Sequence, residues 1–525
     1  MASPNRASQE SNKQATSPQD QVDVLASLAF QPNDAEALNE SKSVTEGSEI
    51  KQDDAEVKKI LKAEKRLVLK LDTLFLPYAC LSILIKKIDQ TNYKAAYTAG
   101  MREDLNLAGT NALNYFDIYY TIAYAIFIIP SVLLLMRFRP SILLPTLELT
   151  WGVLTGCMAL TSNVKVMFAI RFLIGMCEAS CWPCTTVLLL SWYTPKELAK
   201  RQSIYLSASY IGSMFTFAMQ SAIYQTLEGK SGMAGWRWLF VINAIMTVVA
   251  ASIGYFIIPD YPSTTKAFYL NPLERSVAYT RQLAFGKRTQ SSTPVPVKPL
   301  LMKAARTMFS WKFGLLFLCY APWVWAQQTN AYFNLFLDSL RRADGSRLYS
   351  KKQVTNIPIG AYGITVFTAI VYGILSDRLQ LRWPFAVIIN LVQLVSTIIL
   401  SIWPAGMGIK MFAFLISFTT GANESMLMSW IGDVCKEDPT ERAVVVGWAL
   451  TLAIAGNASL PIALWPAKQA PKYKYGYKVA TAFTCVSIIA IFTYRWLLGQ
   501  EKKKEKEEKE TTAVESYAAA QEKTL

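Results

Sequence analysis

Charged and amide side chains cluster at the end of the first long apolar stretch of this sequence. The cluster follows the mostly apolar residues 73–85 and contains Lys86, Asp89, Gln90, Asn92 and Tyr93. Residues 73–85 alone are too few to cross a bilayer, so we expect the helix to continue through the cluster. A charge at mid-membrane costs about 2.5–3.5 kcal/mol, so these side chains should face a cavity that binds a small polar solute. Alternatively, the span ends early and Lys86 reaches the lipid headgroups.

A second polar group lies in the seventh apolar stretch. Gln327, Asn330 and Asn334 are three and seven residues apart, which places them on one face of a helix. Amides beside Trp323 and Tyr332 suit a small organic solute better than a bare ion. The alternative interpretation is that the amides hydrogen-bond neighbouring helices to one another.

A proton-coupled protein of this sequence would need a carboxylate as its proton carrier, because the chain contains no histidine. Glu178 follows Arg171 by two helical turns, so the spacing predicts a carboxyl group tuned by burial and a nearby cation. A permanent structural pair fits the same spacing. Asp117, Glu148 and Glu424 are further candidates, although no cation lies at helical spacing beside them.

One loop predicts a gate. It contains Gly373, Asp377, Arg378 and Arg382. The glycine allows a helix end to pack closely, and the aspartate and an arginine are expected to pair across the loop. Such a pair holds one face of a two-state protein shut, so we expect a conformational latch here and not a solute site.

These residues belong to an all-α membrane protein of twelve predicted helices. The predicted spans are 71–96, 112–136, 142–162, 166–190, 202–226, 237–259, 309–336, 357–377, 383–403, 409–433, 443–466 and 476–498. They divide into a half at 71–259 and a half at 309–498, separated by a polar linker at 260–308. Two pseudo-symmetric halves of six helices are typical of secondary transporters, whose site lies between the halves.

The polar ends indicate orientation. The polar composition of residues 1–70 predicts a largely disordered tail, with helical character after Ala55. The Lys/Glu run in residues 499–525 predicts a charged tail. An even number of crossings places both termini on one side of the membrane. Loop and tail lysines and arginines then mark that side as the cytoplasm, and they also meet anionic lipids.

Several other classes of protein are disfavoured. The net charge of +15 lies in loops and tails, so nucleic-acid binding is not expected. Cys177, Cys181 and Cys184 share a helix face, but without histidine we interpret them as small residues at a helix contact and expect no metal. Nothing resembles a nucleotide-binding loop or a catalytic constellation. We therefore expect neither a cofactor nor an enzyme.

Several motifs resemble a known family. The loop at 373–382 and the segment from Arg171 to Glu178 resemble motifs of the major facilitator superfamily. Further segments resemble its fungal anion:cation symporter (allantoate permease) family: 86–92, 96–105, 139–142, 144–151, 191–198 and 234–240. The form Lys86-Lys-Ile-Asp-Gln-Thr-Asn92 is similar to the vitamin-transporting members. The sequence departs from the family at 181–184, where Cys-Trp-Pro-Cys replaces the usual aromatic-Pro-Gly.

The resemblance implies a twelve-helix major facilitator fold and proton-coupled import of a small carboxylate across the plasma membrane, with pantothenate the first choice. In this interpretation Lys86 attracts the carboxylate, the amides contact the rest of the molecule, and Glu178 carries the proton under the influence of Arg171. We expect a monomer. Biotin, nicotinate, allantoate or a dipeptide remain alternative substrates, and a nutrient receptor without transport is an alternative function.

Overall fold

The computed structural model describes residues 49–107, 112–227, 229–285, 297–342, 344, 346–349, 351–435, 438–465, 469 and 471–522. Within these ranges the chain is helical apart from its connections, and its only β contact is a single bridge between Arg341 and Arg347. The predicted all-α class is confirmed.

The first half begins with a helix that extends beyond the membrane. Helix α1 (Glu49–Lys70) passes through a π-helical turn, Leu71–Phe75, into α2 (Leu76–Ala96). The remaining helices are α3 (Ala112–Leu135), α4 (Pro140–Leu160), α5 (Val164–Glu178), α6 (Cys181–Trp192), α7 (Leu198–Leu227) and α8 (Gly235–Ile257). Helices α5 and α6 form one crossing, interrupted at residues 179–180.

The linker and the second half follow the same plan. The linker contains α9 (Pro272–Ala284) and α10 (Val297–Met308). The second half contains α11 (Trp311–Ala326), α12 (Phe333–Ser339), α13 (Lys351–Leu379), α14 (Trp383–Ile402), α15 (Met407–Thr419), α16 (Asn423–Val434), α17 (Pro439–Leu464) and α18 (Gly476–Glu522). Short 3₁₀ turns join α11 to α12 at Gln327–Tyr332 and α15 to α16 at Thr420–Ala422.

Twelve crossings result, six in each half. In the part of the chain that the structure describes, 9 helical stretches are long and apolar enough to span a membrane. The other three crossings are α7, which contains many polar residues, and the two helix pairs interrupted by 3₁₀ turns. Both interruptions lie at mid-crossing in the second half, where unwound backbone is tolerated because it lines a cavity. The predicted count and two-half arrangement are confirmed.

Several helices are longer than their apolar spans. Helix α18 continues through the Lys/Glu run to Glu522, and α1 extends the first crossing back to Glu49. Hydropathy marks the part of a helix that lies in lipid, whereas helical hydrogen bonding continues until a residue interrupts it. Pairs such as Lys503–Glu507, at 3.8 Å, support the extension of α18. Of the tail predicted at 1–70 as largely disordered, residues 1–48 lie outside the described residues, and residues 49–70 are helical, a helix that begins before the predicted Ala55.

Both linker helices pack on the side of the molecule from which α1 and the end of α18 extend. We call this the terminal side. Helix α9 joins the first half, since Lys70 pairs with Glu274 at 2.7 Å and the buried Arg281 pairs with Glu197 at 2.6 Å. Helix α10 joins the second half through an ion pair of Lys303 with Asp438. Burial alone disfavours the charged form of Asp438, but Lys303 and two backbone N–H groups hold its pKa below the ordinary value.

Candidate functional site

A large cavity of about 1190 Å³ lies between the two halves. Its walls include Lys86, Lys87 and Gln90 of α2, Tyr120 and Tyr124 of α3, Gln327 and Asn330 of the α11–α12 turn, and Glu424 of α16. Asp117 also lines the cavity, and its side chain is 54% exposed, so the cavity opens on the side opposite the termini. We call this the far side.

Lys86 lies in the wall of this cavity and not at the end of a span. Helix α2 continues beyond it to Ala96, and the lysine is only 5% exposed. Its ammonium group donates a hydrogen bond to the Tyr124 hydroxyl at 2.7 Å and lies 4.4 Å from the centre of that ring. The neighbouring Lys87 reaches the same cavity. Two cations on one wall make it suitable for an organic anion.

Asp89 lies behind the cavity wall, inside the first half. Its carboxylate accepts hydrogen bonds from Thr155 of α4 at 3.1 Å and from Asn243 of α8 at 2.7 Å. Arg171 of α5 lies 4.0 Å from the other carboxylate oxygen. The guanidinium group stacks over the rings of Tyr93, at 4.4 Å, and Tyr120. Arg171 therefore forms its ion pair with Asp89 of α2. The helical spacing had predicted Glu178 as its partner.

Glu178 is fully buried, yet hydrogen bonds connect it to the cavity. The Tyr120 hydroxyl donates to Glu178 Oε2 at 2.7 Å, and the Gln90 amide donates to that hydroxyl at 2.5 Å. The Glu178 carboxyl group also lies within hydrogen-bonding reach of the Asp89 carboxylate, a contact that needs a proton on one of the two. Lys86 and Asp89 are close enough to Glu178 to interact with it electrostatically. Glu178 is therefore one side chain removed from the solute space.

The other two predicted residues of this cluster also lie outside the cavity lining. Tyr93 is buried and donates a hydrogen bond to Asp117 at 2.7 Å. Asn92 is completely buried, and neither atom of its amide has a partner among the described residues. Tyr120 and Tyr124 were not predicted as site residues. An aromatic-rich face of the second span, from Tyr115 to Tyr124, is the sequence signal that marks them.

The opposite wall of the cavity is a network of amides and hydroxyls. Gln327 donates to Thr420 at 2.7 Å and accepts from Asn330 at 2.7 Å. Ser417 donates to Asn330 at 2.6 Å, and Thr420 donates to Gln393 of α14 at 2.6 Å. The side chain of Asn334 lies outside the described residues. Gln393 was not predicted as a site residue, although an amide in the middle of an apolar span is a signal that could have identified it.

One carboxyl group faces the two lysines across the cavity. Glu424 accepts a hydrogen bond from Tyr320 at 3.1 Å. Lys86 and Lys87 both act on it electrostatically. The cavity thus has a cationic wall on the first half and an anionic, amide-rich wall on the second half.

The predicted gate lies at the terminal side and joins the two halves. Asp377 accepts hydrogen bonds from the backbone N–H groups of Ala199, at 3.1 Å, and Lys200, at 2.7 Å. These N–H groups belong to the first turn of α7, where they have no partner within the helix and favour an anion. Arg382 pairs with Asp377 at 2.6 Å.

Close packing and a second arginine contact complete this latch. Arg382 also donates to the Pro195 carbonyl of the first half. A Cβ atom at Gly373 would lie 2.6 Å from Ser203 Oγ, so only glycine permits this approach of α13 to α7. Arg378 is exposed. These contacts join the two halves on the terminal side, while the cavity opens on the far side.

Comparisons with known proteins agree with this architecture. Solved structures of the proton:xylose symporter XylE are similar in fold: one has a TM-score of 0.61 at 14% identity and covers 82% of this chain and 95% of its own. The pantothenate transporter liz1 of Schizosaccharomyces pombe is 32% identical over 390 residues, 73% of each chain. The vitamin H transporter of Saccharomyces cerevisiae is 28% identical over 445 residues, 83% of this chain and 73% of its own.

A family model supplies the assignment. The model of the Major Facilitator Superfamily matches residues 79–461, which include the latch, every described cavity-lining residue except Trp465, and all of the crossings except α18, the start of the first and the end of α17. The predicted membership and the prediction of a transporter without enzymatic activity are confirmed. This chain belongs to the major facilitator superfamily and is a multi-pass membrane transporter of a small organic molecule.

Proposed function

We propose that this protein imports pantothenate, or a closely similar small monocarboxylate, together with protons across the plasma membrane by alternating access. The observation that supports this most directly is the cationic wall at Lys86, which hydrogen bonds through Gln90 and Tyr120 connect to the buried Glu178. The names of the two vitamin-transporting relatives favour the same substrate class. The terminal side is then the cytoplasm, with both termini inside.

The substrate carboxylate binds at Lys86 and Lys87. A charge-assisted hydrogen bond is about twice as strong as a neutral one, so it orients the anion. Glu178 lies behind this wall and, in its charged form, offsets part of the positive charge of the two lysines. The substrate therefore enters with its carboxylate toward the first half.

The remainder of pantothenate matches the opposite wall. Its amide and two hydroxyl groups can form hydrogen bonds with the amides of Gln327 and Asn330 and can donate to the carboxylate of Glu424. Trp323 and Tyr332 supply apolar surface for its methyl groups. Biotin is the second candidate, because Glu424 would also accept hydrogen bonds from the N–H groups of its ring.

Proton coupling follows from the shared charge in the first half. Arg171 is the cation beside Asp89, and Glu178 interacts with Asp89 and with Lys86. If Lys86 no longer offset the charge of Glu178, two charged carboxylates here would leave one buried charge uncompensated, which is strongly unfavourable. When Lys86 engages the substrate anion, its charge is withdrawn from Glu178 and proton binding to Glu178 becomes more favourable. By thermodynamic linkage, proton binding to Glu178 increases the affinity for the substrate anion by the same factor.

A monomer suffices for this function, since both walls and the latch belong to one chain. After the anion and the proton bind from the far side, the contacts of Asp377 and Arg382 with the first half must break for the cavity to open to the cytoplasm. A receptor without transport would retain the binding cavity but would not need this exchange of conformations.

The proposed function is tested by uptake of labelled pantothenate into cells that lack their own carrier, at acidic and neutral pH, with and without a protonophore. We expect uptake that increases with acidity, is abolished by the protonophore and is inhibited by unlabelled pantothenate. Biotin, nicotinate and allantoate as competitors rank the alternative substrates. Surface-localised protein that gives no pantothenate uptake would contradict the substrate, and uptake by purified protein in vesicles excludes a pure receptor.

A further inference from the structure

A second buried polar group lies on the terminal side of Lys86, away from the solute cavity. Tyr78, Ser82 and Lys86 are four residues apart and form one polar stripe along α2. On α6, Cys181 and Thr185 face this stripe, and the Ser82 hydroxyl lies 3.6 Å from the Cys181 sulfur. The stripe continues the polar surface of the transport site into the interior of the first half.

Glu148 of α4 is the ionisable centre of this group. It is 2% exposed, and its Oε2 accepts a hydrogen bond from the Tyr78 hydroxyl at 2.6 Å. The Ser82 hydroxyl also lies within hydrogen-bonding reach of this carboxyl group. A small cavity of about 10 Å³ adjoins it, lined also by Ser82, Ser180 and Thr185. This is space for about one water molecule, with several polar groups to hold it.

The surroundings of Glu148 contain no compensating cation among the described contacts. The groups that face it are Tyr78 and Ser82 from α2 and Cys181 from α6. Tyr255 of α8 acts on Tyr78 and contributes no positive charge. A charged carboxylate without a compensating cation is very costly in such a place. A neutral carboxyl group that accepts hydrogen bonds from Tyr78 and Ser82 and contacts one water is readily accommodated.

Glu148 and Glu178 are linked through the same stripe. Lys86 interacts electrostatically with both Glu178 and Cys181, and Cys181 adjoins Ser82. Lys86 and Ser82 of α2 lie between the two carboxyl groups. Glu178 is nearer the far side and Glu148 is nearer the terminal side. A proton that leaves Glu178 in this direction meets hydroxyl groups, one water site and then a second carboxyl group.

We propose that Glu148 is a second proton-binding residue, in series with Glu178, on the path by which the transported proton reaches the cytoplasm. This inference rests on the proposed proton coupling. Glu148 releases its proton to the terminal side. Proton transfer along Lys86, Ser82 and the water site then breaks the O–H bond of Glu178 and re-forms an O–H bond of Glu148, and each intervening group gains one proton as it gives one up. One proton crosses for each cycle, and no other reactant is needed.

The test uses the full chain in proteoliposomes and compares two assays on Glu148→Gln. Counterflow exchanges labelled for unlabelled pantothenate without net proton movement, whereas accumulation needs the imposed pH gradient. We expect counterflow within about twofold of wild type, and accumulation reduced about tenfold or more from the roughly 100-fold ratio that a gradient of about two pH units supports. Accumulation equal to wild type, or equal loss in both assays, would overturn the relay.

Two further variants separate a proton carrier from a structural residue. Glu148→Asp keeps a carboxyl group and is expected to restore much of the accumulation. Tyr78→Phe removes the hydrogen-bond donor but keeps the carboxyl group, so it should accumulate pantothenate nearly as wild type does. If Tyr78→Phe is as defective as Glu148→Gln, the pair is structural and the relay is contradicted.

The failure of the relay differs from the failure of the proposed function. Wild-type protein that performs counterflow but does not accumulate pantothenate with the gradient would contradict proton coupling, and the relay with it. Wild-type accumulation with an equally active Glu148→Gln variant would contradict the relay alone.

Discussion

The two halves that enclose the cavity contain different kinds of polar side chain in and behind its walls. The first half buries ionisable groups, namely Lys86, Asp89, Arg171 and Glu178, each 5% exposed or less. The second half presents a neutral network around Gln327 and Gln393, with Glu424 as its one carboxyl group among the described lining residues. Ionisable groups respond to protons and anions, whereas amides distinguish shapes and hydrogen-bond patterns. On this comparison we propose that the first half carries out coupling and anion capture and that the second half selects the substrate.

The largest expected effect is that of Glu178→Gln on accumulation. For one proton per monocarboxylate, a gradient of about two pH units supports an accumulation of about 100-fold, since each tenfold ratio corresponds to about 1.4 kcal/mol. Without the carrier, the ratio should fall to about one while counterflow persists. Labelled pantothenate in vesicles measures both. The exposed Glu103→Gln is the matched control, and a variant that still accumulates would place the carrier elsewhere.

Lys86→Ala should mainly weaken substrate affinity. Truncating one partner of a buried charged pair costs about 2 kcal/mol or more, so the KM for pantothenate should increase about 30-fold or more. Lys86→Arg should recover part of the affinity, and the exposed Lys165→Ala should have none of the defect. An unchanged KM would remove the lysine from the substrate site and break the assignment of anion capture to the first half.

Gln327→Ala should have a moderate effect on selection and none on coupling. Loss of one neutral hydrogen bond costs about 1 kcal/mol, or about fivefold in the KM for pantothenate. Nicotinate lacks the amide and hydroxyl groups of pantothenate, so its inhibition constant should change little. The inhibition constant of nicotinate against pantothenate uptake measures selection, and the pH profile of uptake measures coupling. A shifted pH profile would show that the second half also takes part in coupling.

The smallest expected effect concerns how the linker is attached to each half. The half-exposed pair of Lys303 and Asp438 should contribute about 0–1 kcal/mol, so Asp438→Asn should lower thermal stability only slightly. Because the pKa of Asp438 is lowered, this contribution is complete above the ordinary aspartate pKa and is lost as pH falls through the lowered value. Thermal unfolding of both proteins across acidic pH measures the difference. Arg281→Ala, which breaks a buried contact in the first half, should destabilise more.

The sequence predicted the elements that hydropathy and helical spacing determine. Twelve crossings in two halves, the lysine of the first span and the amides of the seventh all follow from such patterns. The latch loop was located as well, although the bond of Asp377 to the start of α7 requires a distant turn to fold against it.

The partners of the buried charges could not be predicted from spacing. Periodicity defines which face of one helix a residue occupies, but it does not define which other helix packs there. Arg171 therefore pairs with Asp89 of α2 and not with a residue of its own helix. The same limit applies to Tyr120, whose role depends on its position between Gln90 and Glu178. Asp89 and Asn92 share the polar stretch of Lys86 but face the interior of the half.

The most direct test of the whole account is internal pH during pantothenate entry. Purified protein is reconstituted in vesicles that contain a pH indicator, and pantothenate is added outside at equal pH on both sides. We predict internal acidification with wild type, and entry without acidification with Glu178→Gln. Pantothenate entry that leaves internal pH unchanged in the wild-type protein would contradict proton coupling through the charged interior of the first half.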